Sequence, residues 1–214
     1  MAHKPDLLKY PKTFGHQLPE FFSIAEFEYS EVALKHNIDN YLTNPIHYDN
    51  ARLFLIEILD PIRMEWTKYC FDNDFSDGAI VITSGYRSKD LNDFINGSES
   101  SAHCLGLAAD IKPRNKKMKE FQNWLVNYLK KNKVKFDQLI IESPKNGVAS
   151  WLHIGRMNSK GQTRKQIFAL DEKGKKIPRN RKFFAKPIWQ RFLILFFGAG
   201  NNFILAFLFL FFVG

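Results

Sequence analysis

The chain has 214 residues, 45% hydrophobic and 25% charged, which suits one globular domain of ordinary size with a small appendage. Aromatic residues at 15% exclude a disordered chain, and 12 glycines with two cysteines exclude collagen-like and disulfide-rich classes. The formal net charge of +9 is local: Arg156 to Arg191 holds 12 Lys/Arg against Asp171 and Glu172, leaving 19 basic and 20 acidic residues elsewhere. The basic character therefore belongs to a tail. That tail has no stacking platform beyond Phe183, Phe184 and Trp189, so no specific nucleic-acid partner is expected.

In chain order, residues 1–20 are polar with three prolines and read as an extended lead-in. Ser23 opens a short helix through Glu26, and Tyr29–Ser30 marks a second start. Between His47 and Cys70, Leu53, Phe54, Ile56, Leu59, Ile62 and Trp66 recur at helical spacing. Pro61 interrupts that run, either as a kink or as the first residue of a restarted helix capped by Asp60. Strands are expected at Ala79–Thr83 and Leu107–Ile111, with an amphipathic helix over Lys117–Lys131. Phe136–Glu142 and Ser150–Gly155 read as two strands joined by a Pro/Asn/Gly turn region. The pattern predicts an α+β fold with a small, mostly antiparallel sheet occupying residues 21–157. Residues 158–191 read as a basic linker. Cys70 and Cys104 read as two ordinary thiols.

Of six histidines, His3, His16, His36 and His47 lie in polar surroundings and read as solvated or capping residues. His103 and His153 differ. His103 precedes C-L-G-L-A-A-Asp110, and His153 lies inside the strand-like W-L-H-I-G. Two imidazoles and a carboxylate are a ligand set that zinc accepts with a fourth position open. On one continuous helix His103 and Asp110 would stand about 10 Å apart along the axis. Gly106 and the β-like LGLAADI argue instead for a turn into a strand, which brings both to one point. A His and an Asp seven residues apart are by themselves an ordinary coincidence.

The ordered set S-G-Y-R-S (84–88), L-N (91–92), I-N-G-S (95–98), S-S-A-H-C-L-G-L-A-A-D-I (100–111), F-D-Q-L-I-I-E (136–142) and W-L-H-I-G (151–155) is more specific. It resembles the zinc D-Ala-D-Ala carboxypeptidase-type peptidases of bacterial cell walls and phage endolysins. F-F-S-I-A-E-F (21–27) and L-D-P-I-R (59–63) resemble that family's helical lead-in, so the likeness spans about residues 20–157. The resemblance implies a DD-peptidase/Hedgehog-like zinc domain acting on peptidoglycan stem peptides, with Zn2+ on His103, Asp110 and His153. It also implies that Arg87 binds substrate, since a guanidinium fork pairs bidentately with a peptide carboxylate. The competing reading of Arg87 is a residue that ties down the turn after a strand. Asp137 and Gln138 match positions better read as structural.

One departure stands out. Many members carry a carboxylate three residues before the last histidine, as general base for catalysis, and Ser150 occupies that place here. Glu142 is the substitute: an in-phase antiparallel register would set it beside Trp151 on the face of His153. Its competing reading is a brace for the turn. A domain that lost its base would be a catalytically inactive, zinc-containing wall-binding module.

The last stretch, Phe192–Val213, has 22 residues, 8 of them Phe, and no charge. It is long enough to span a hydrocarbon core of about 30 Å, although Asn201 and Asn202 sit in its middle. Eight Lys/Arg from Lys173 to Arg191 flank it on what would be the cytoplasmic side. The N-terminus lacks the apolar run of a signal peptide. The expectation is a monomer made in the cytoplasm, anchored C-terminally and acting at the cell envelope, of phage or prophage origin. Its basic linker would meet anionic lipid or wall polymer.

Overall fold

Side-chain caps start the first helices where the sequence places them. Ser23 Oγ accepts from Glu26 N at 3.1 Å to open α1 (Ile24–Glu28), and Ser30 Oγ accepts from Ala33 N at 3.2 Å to open α2 (Glu31–Lys35). The protein is seen here as a computed structural model that describes residues 17–141, 148–170 and 176–178. Asn44, with Pro45 behind it, caps α3 (Pro45–Phe54). A π turn (Leu55–Leu59) then leads without a break into α4 (Asp60–Asp72).

Pro61 falls in the first turn of α4, the place expected of a restarted helix, although the π turn joins that helix to α3 without a gap. It lacks the N–H that would return to Glu57, and the wider turn before it absorbs the mismatch. Asp60, however, is not a cap. Its carboxylate accepts from Glu20 N and Phe21 N at 2.7 and 3.2 Å and pins the lead-in to the helix.

The five paired strands are β1 (Ile80–Ser84), β2 (Ala108–Pro113), β3 (Gln138–Ile141), β4 (Leu152–Gly155) and β5 (Gln166–Leu170), ordered β1-β2-β4-β3-β5. Two helices stand between them in the chain, α5 (Lys89–Phe94) and α6 (Met118–Lys131). A short β6 (Lys176–Pro178) follows β5 in the chain. By Cα proximity the chain divides after Lys176, and the elements before β6 all belong to the first unit.

The α+β class is as expected, but the sheet is mixed. The β1/β2, β2/β4 and β3/β4 pairs are antiparallel, whereas β5 runs parallel to β3. Residues 166–170 had been read as part of a basic linker. Their alternation Gln-Ile-Phe-Ala-Leu is strand-like, yet the flanking charges mask it. The ten residues of 156–165 give the chain the reach to leave β4, pass β3 and pair on its far edge.

One face of the sheet carries the core. Ile80 and Ile82 of β1, Ala109 and Ile111 of β2, Leu139 and Ile141 of β3, and Leu152 and Ile154 of β4 are buried against the helices. Phe54, Leu55, Ile58, Leu59, Ile62 and Trp66 come from the α3–α4 run, and Phe121, Leu125 and Leu129 from α6. Because strand side chains alternate, the intervening residues Asp110, Ile140, His153 and Gly155 point to the opposite face. They line a cavity of about 580 Å³.

Both cysteines are free thiols. Among the described residues no helix is long and apolar enough to cross a membrane, and Phe192–Val213 lies outside them.

The place of β5 is directly testable. A chain ending at residue 157 loses the β3 partner and leaves the buried Asp137 without Arg164, which holds it at 2.6 Å. Compared with a chain ending at residue 178, it is expected to be less stable by at least about 2 kcal/mol in urea denaturation. Equal midpoints would return this strand to the linker.

Candidate metal centre

The S-G-Y-R-S segment ends β1 and builds a scaffold. A Cβ on Gly85 would collide with the Phe27 carbonyl, and Tyr86 N donates to that same carbonyl at 2.7 Å, so the chain passes flush against α1. Asn40, buried, fixes the next turn from both sides: its Nδ2 donates to Tyr86 O at 3.0 Å and its Oδ1 accepts from Ser88 N at 2.6 Å. Ser88 then caps α5 through Leu91 N.

The result presents Gly85 O to His103. Its Nδ1 lies 2.7 Å from that carbonyl, which makes Nδ1 the protonated nitrogen and leaves a lone pair on Nε2. Burial pushes the His103 imidazole below its usual range, with only 3% of the residue exposed, while the Asp110 carboxylate pulls it back up.

His103 itself sits in a 3-10 turn (Ala102–Leu105) closed by Gly106 at φ +70°. A side chain at Gly106 would meet His47 O, so glycine is required there on two counts. The chain then enters β2, as the sequence suggested. Asp110 and His153 are direct partners in the β2/β4 register.

Three ligand atoms converge as a result. His153 Nδ1 lies 3.0 Å from Asp110 Oδ1 and 3.1 Å from His103 Nε2, and His103 Nε2 lies 3.4 Å from Asp110 Oδ1. Tetrahedral zinc with ligand bonds of about 2.0–2.1 Å sets its ligand atoms about 3.3 Å apart. Donor chemistry and spacing both fit such an ion, and these are the residues that could hold one. Burial would raise the Asp110 carboxyl, but His103 and His153 hold it far below the usual carboxylate range. It is therefore ionised, as a ligand must be.

Arg87 is tied into the site by two hydrogen bonds. Its Nη2 donates to Asp110 Oδ2 at 2.9 Å and its Nε to Ser84 Oγ at 2.9 Å. The guanidinium lines the cavity, yet it braces the ligand carboxylate and the end of β1. Both the turn-tying reading and a role at the site are visible in that one geometry. Asp137 is buried at the cavity wall and gripped by Arg164 through two contacts of 2.6 Å, in keeping with a structural part. Gln138 donates to Gln166 across the β3/β5 pair at 3.0 Å.

The β3/β4 register runs in phase through Ile141↔Leu152, and Ser150 is exposed just before β4. Glu142 lies outside the described residues. His36 packs at a tilt against Phe94 with ring centroids 4.5 Å apart, and His47 is half-buried on α3; neither joins the trio. His3 and His16 fall outside the described residues.

A family model described as Peptidase M15 matches residues 22–145, more than half of the chain. The chain belongs to the M15 peptidase family. Membership places it among the hydrolases and accords with the resemblance drawn from the motifs. A search of curated proteins finds no match. The matched span of the M15 model holds Arg87, His103 and Asp110, while His153 and the wall after β4 lie beyond it.

Sequence reasoning missed Asn40, Ser84 and Arg164 as supports. Ser84 was inside a quoted motif, whereas nothing local marks Asn40 or Arg164. For Arg87 the expected outcome is on metal affinity. Arg87→Lys cannot hold Ser84 and Asp110 together, so zinc affinity should fall roughly 10–100-fold in a competition titration with a chelator. Unchanged affinity would remove Arg87 from the support of Asp110.

Proposed function

We propose that this M15 protein is a zinc-dependent metallopeptidase that hydrolyses peptide bonds in peptidoglycan stem peptides. The observation that carries the reading is the convergence of His103 Nε2, Asp110 Oδ1 and His153 Nδ1 in the wall of one cavity. Zinc, when bound, supplies Lewis acidity that polarises a peptide carbonyl and acidifies water.

The chain's own residues do the rest. Gly85 O fixes the His103 tautomer so that its basic nitrogen faces the cavity. Arg87 occupies Asp110 Oδ2 and thereby leaves Oδ1 to the metal side. Ser98, Ser100 and Ser101 line the cavity mouth and offer hydroxyls to a peptide backbone. Among the described residues, the acids lining the cavity are Asp110 and Asp137, and both are engaged by arginines. Neither is available to take a proton, so Glu142 remains our candidate general base in place of the carboxylate missing at Ser150.

We also propose action at the cell envelope. The Lys/Arg cluster from Lys173 to Arg191 and the apolar run 192–213 support attachment to an anionic membrane, and the resemblance to phage endolysins supports a phage or prophage setting.

Two measurements test the core of this reading. Purified protein should carry one zinc, and His153→Ala should lose both zinc and turnover of stem peptides; unchanged stoichiometry would sink the ligand assignment. Glu142→Gln should keep its zinc and lose roughly 10²–10⁴-fold in turnover, with Ser150→Glu in the double mutant restoring part. Full activity in Glu142→Gln would make Glu142 structural. Zinc and peptidoglycan binding without any turnover in the wild type would point to a wall-binding module instead.

A further inference from the structure

The helical side of the molecule carries a second cavity, of about 550 Å³, in the cleft between α4 and α6. It shares no lining residue with the metal-site cavity, and its two helices pack on the apolar face of the sheet. Its wall is aromatic. Trp124 and Tyr128, one turn apart on α6, lie nearly parallel with ring centroids 5.0 Å apart, and Tyr69 of α4 stands 6.1 Å from Trp124. All three rings are half-buried: they rest on the core and also line the cavity.

The polar groups beside those rings are costly choices for a helix surface. Asn123 and Asn127 precede Trp124 and Tyr128, so successive turns of α6 repeat an Asn-aromatic pair about 6 Å apart along the axis. Asparagine is a poor helix former, and in mid-helix it weakens α6 without serving the core. Asn127 is exposed, and among the described residues its amide makes no hydrogen bond. Glu65 and Glu120 line the same cleft, half-buried, with no ion-pair partner among the described residues. Burial and the nearby Glu65 carboxylate push the Tyr128 hydroxyl above its usual range, which keeps it a proton donor beside that acid.

Flat rings next to open amides and carboxylates match one ligand chemistry. A pyranose ring offers its C–H groups to an aromatic face and its hydroxyls, around the rim, to amide and carboxylate forks. Two glutamates against Lys131 give the cleft a net negative charge, which disfavours nucleic acid, anionic lipid and phosphate-bearing polymers. We propose that the α4–α6 cleft binds a neutral chain of pyranose sugars, packed on the Trp124–Tyr128 wall with its hydroxyls read by Asn127 and Glu65. The inference goes beyond the peptidase reading and does not depend on it. On a polymer that carries both sugars and peptides, such a cleft holds the protein to a glycan strand while the opposite face of the sheet stays open to a peptide.

The test titrates two probes, the tetramer of N-acetylglucosamine and cellotetraose, into the full-length protein by calorimetry and by tryptophan fluorescence. The N-acetylglucosamine tetramer should bind and change the emission. Asn127→Ala, which puts a good helix former in place of a poor one, should fold normally and bind roughly tenfold more weakly. Tyr128→Ala should abolish binding, whereas His153→Ala, altered only at the metal site, should bind as the wild type does. Cellotetraose binding equally well shows that ring faces and hydroxyls are what the cleft reads; weaker binding adds the acetamido groups to that list. No binding of either tetramer overturns the inference. So does binding that Asn127→Ala leaves unchanged, or that His153→Ala removes. If the tetramer binds through Asn127 but the protein cleaves no stem peptide, the inference stands and the peptidase reading falls.

Discussion

The carboxylate of Asp110 is the constraint around which the rest is arranged. It is 8% exposed and ionised, a condition that costs several kcal/mol unless opposite charge and hydrogen bonds surround it. Arg87 meets one oxygen and the two histidines meet the other. Each of those partners is itself held: Arg87 by Ser84, His103 by the Gly85 carbonyl, His153 by its place opposite Asp110 in the β2/β4 ladder. Remove the carboxylate and the guanidinium and two imidazoles lose their common centre. A dication at that point would satisfy three converging lone pairs at once.

The fold supplies this arrangement by a simple device. A sheet with one apolar face packed on helices leaves its other face for polar groups, and alternation along β2 and β4 decides which residues go where. Ala109 and Ile111 enter the core while Asp110 between them turns to the cavity; Leu152 and Ile154 do the same around His153. The candidate metal centre is thus the reverse side of the core. A one-residue slip in either strand would carry a ligand into the apolar layer and an isoleucine into the cavity.

The wall after β4 adds what the ligand trio lacks. Residues 156–165 loop back across the cavity before β5 pairs with β3, and Arg164 neutralises Asp137 on the way. That return lets β5 close the edge of β3 and puts a tight turn in the cavity wall. Strand β5 is therefore part of the site's architecture, not a tether leading away from it.

Much of this was legible in the residues alone. The caps at Ser23 and Ser30, the helical run after His47, the amphipathic α6 and the turn at Gly106 follow from local rules that need no partner. The motif set also sufficed to name His103, Asp110 and His153 together, because the spacing of chemistry-bearing residues survives in sequence. What only the tertiary structure decided depends on contacts between distant segments. Sequence shows Arg87 only as a guanidinium after a strand, and the fold adds that the Asp110 carboxylate lies 2.9 Å from it. Asp60 was read as a helix cap, but the lead-in about forty residues earlier in the chain takes its oxygens. Strand β5 was hidden in a basic stretch because a five-residue strand is specified by the edge it finds, and that edge, β3, exists only once the sheet has formed.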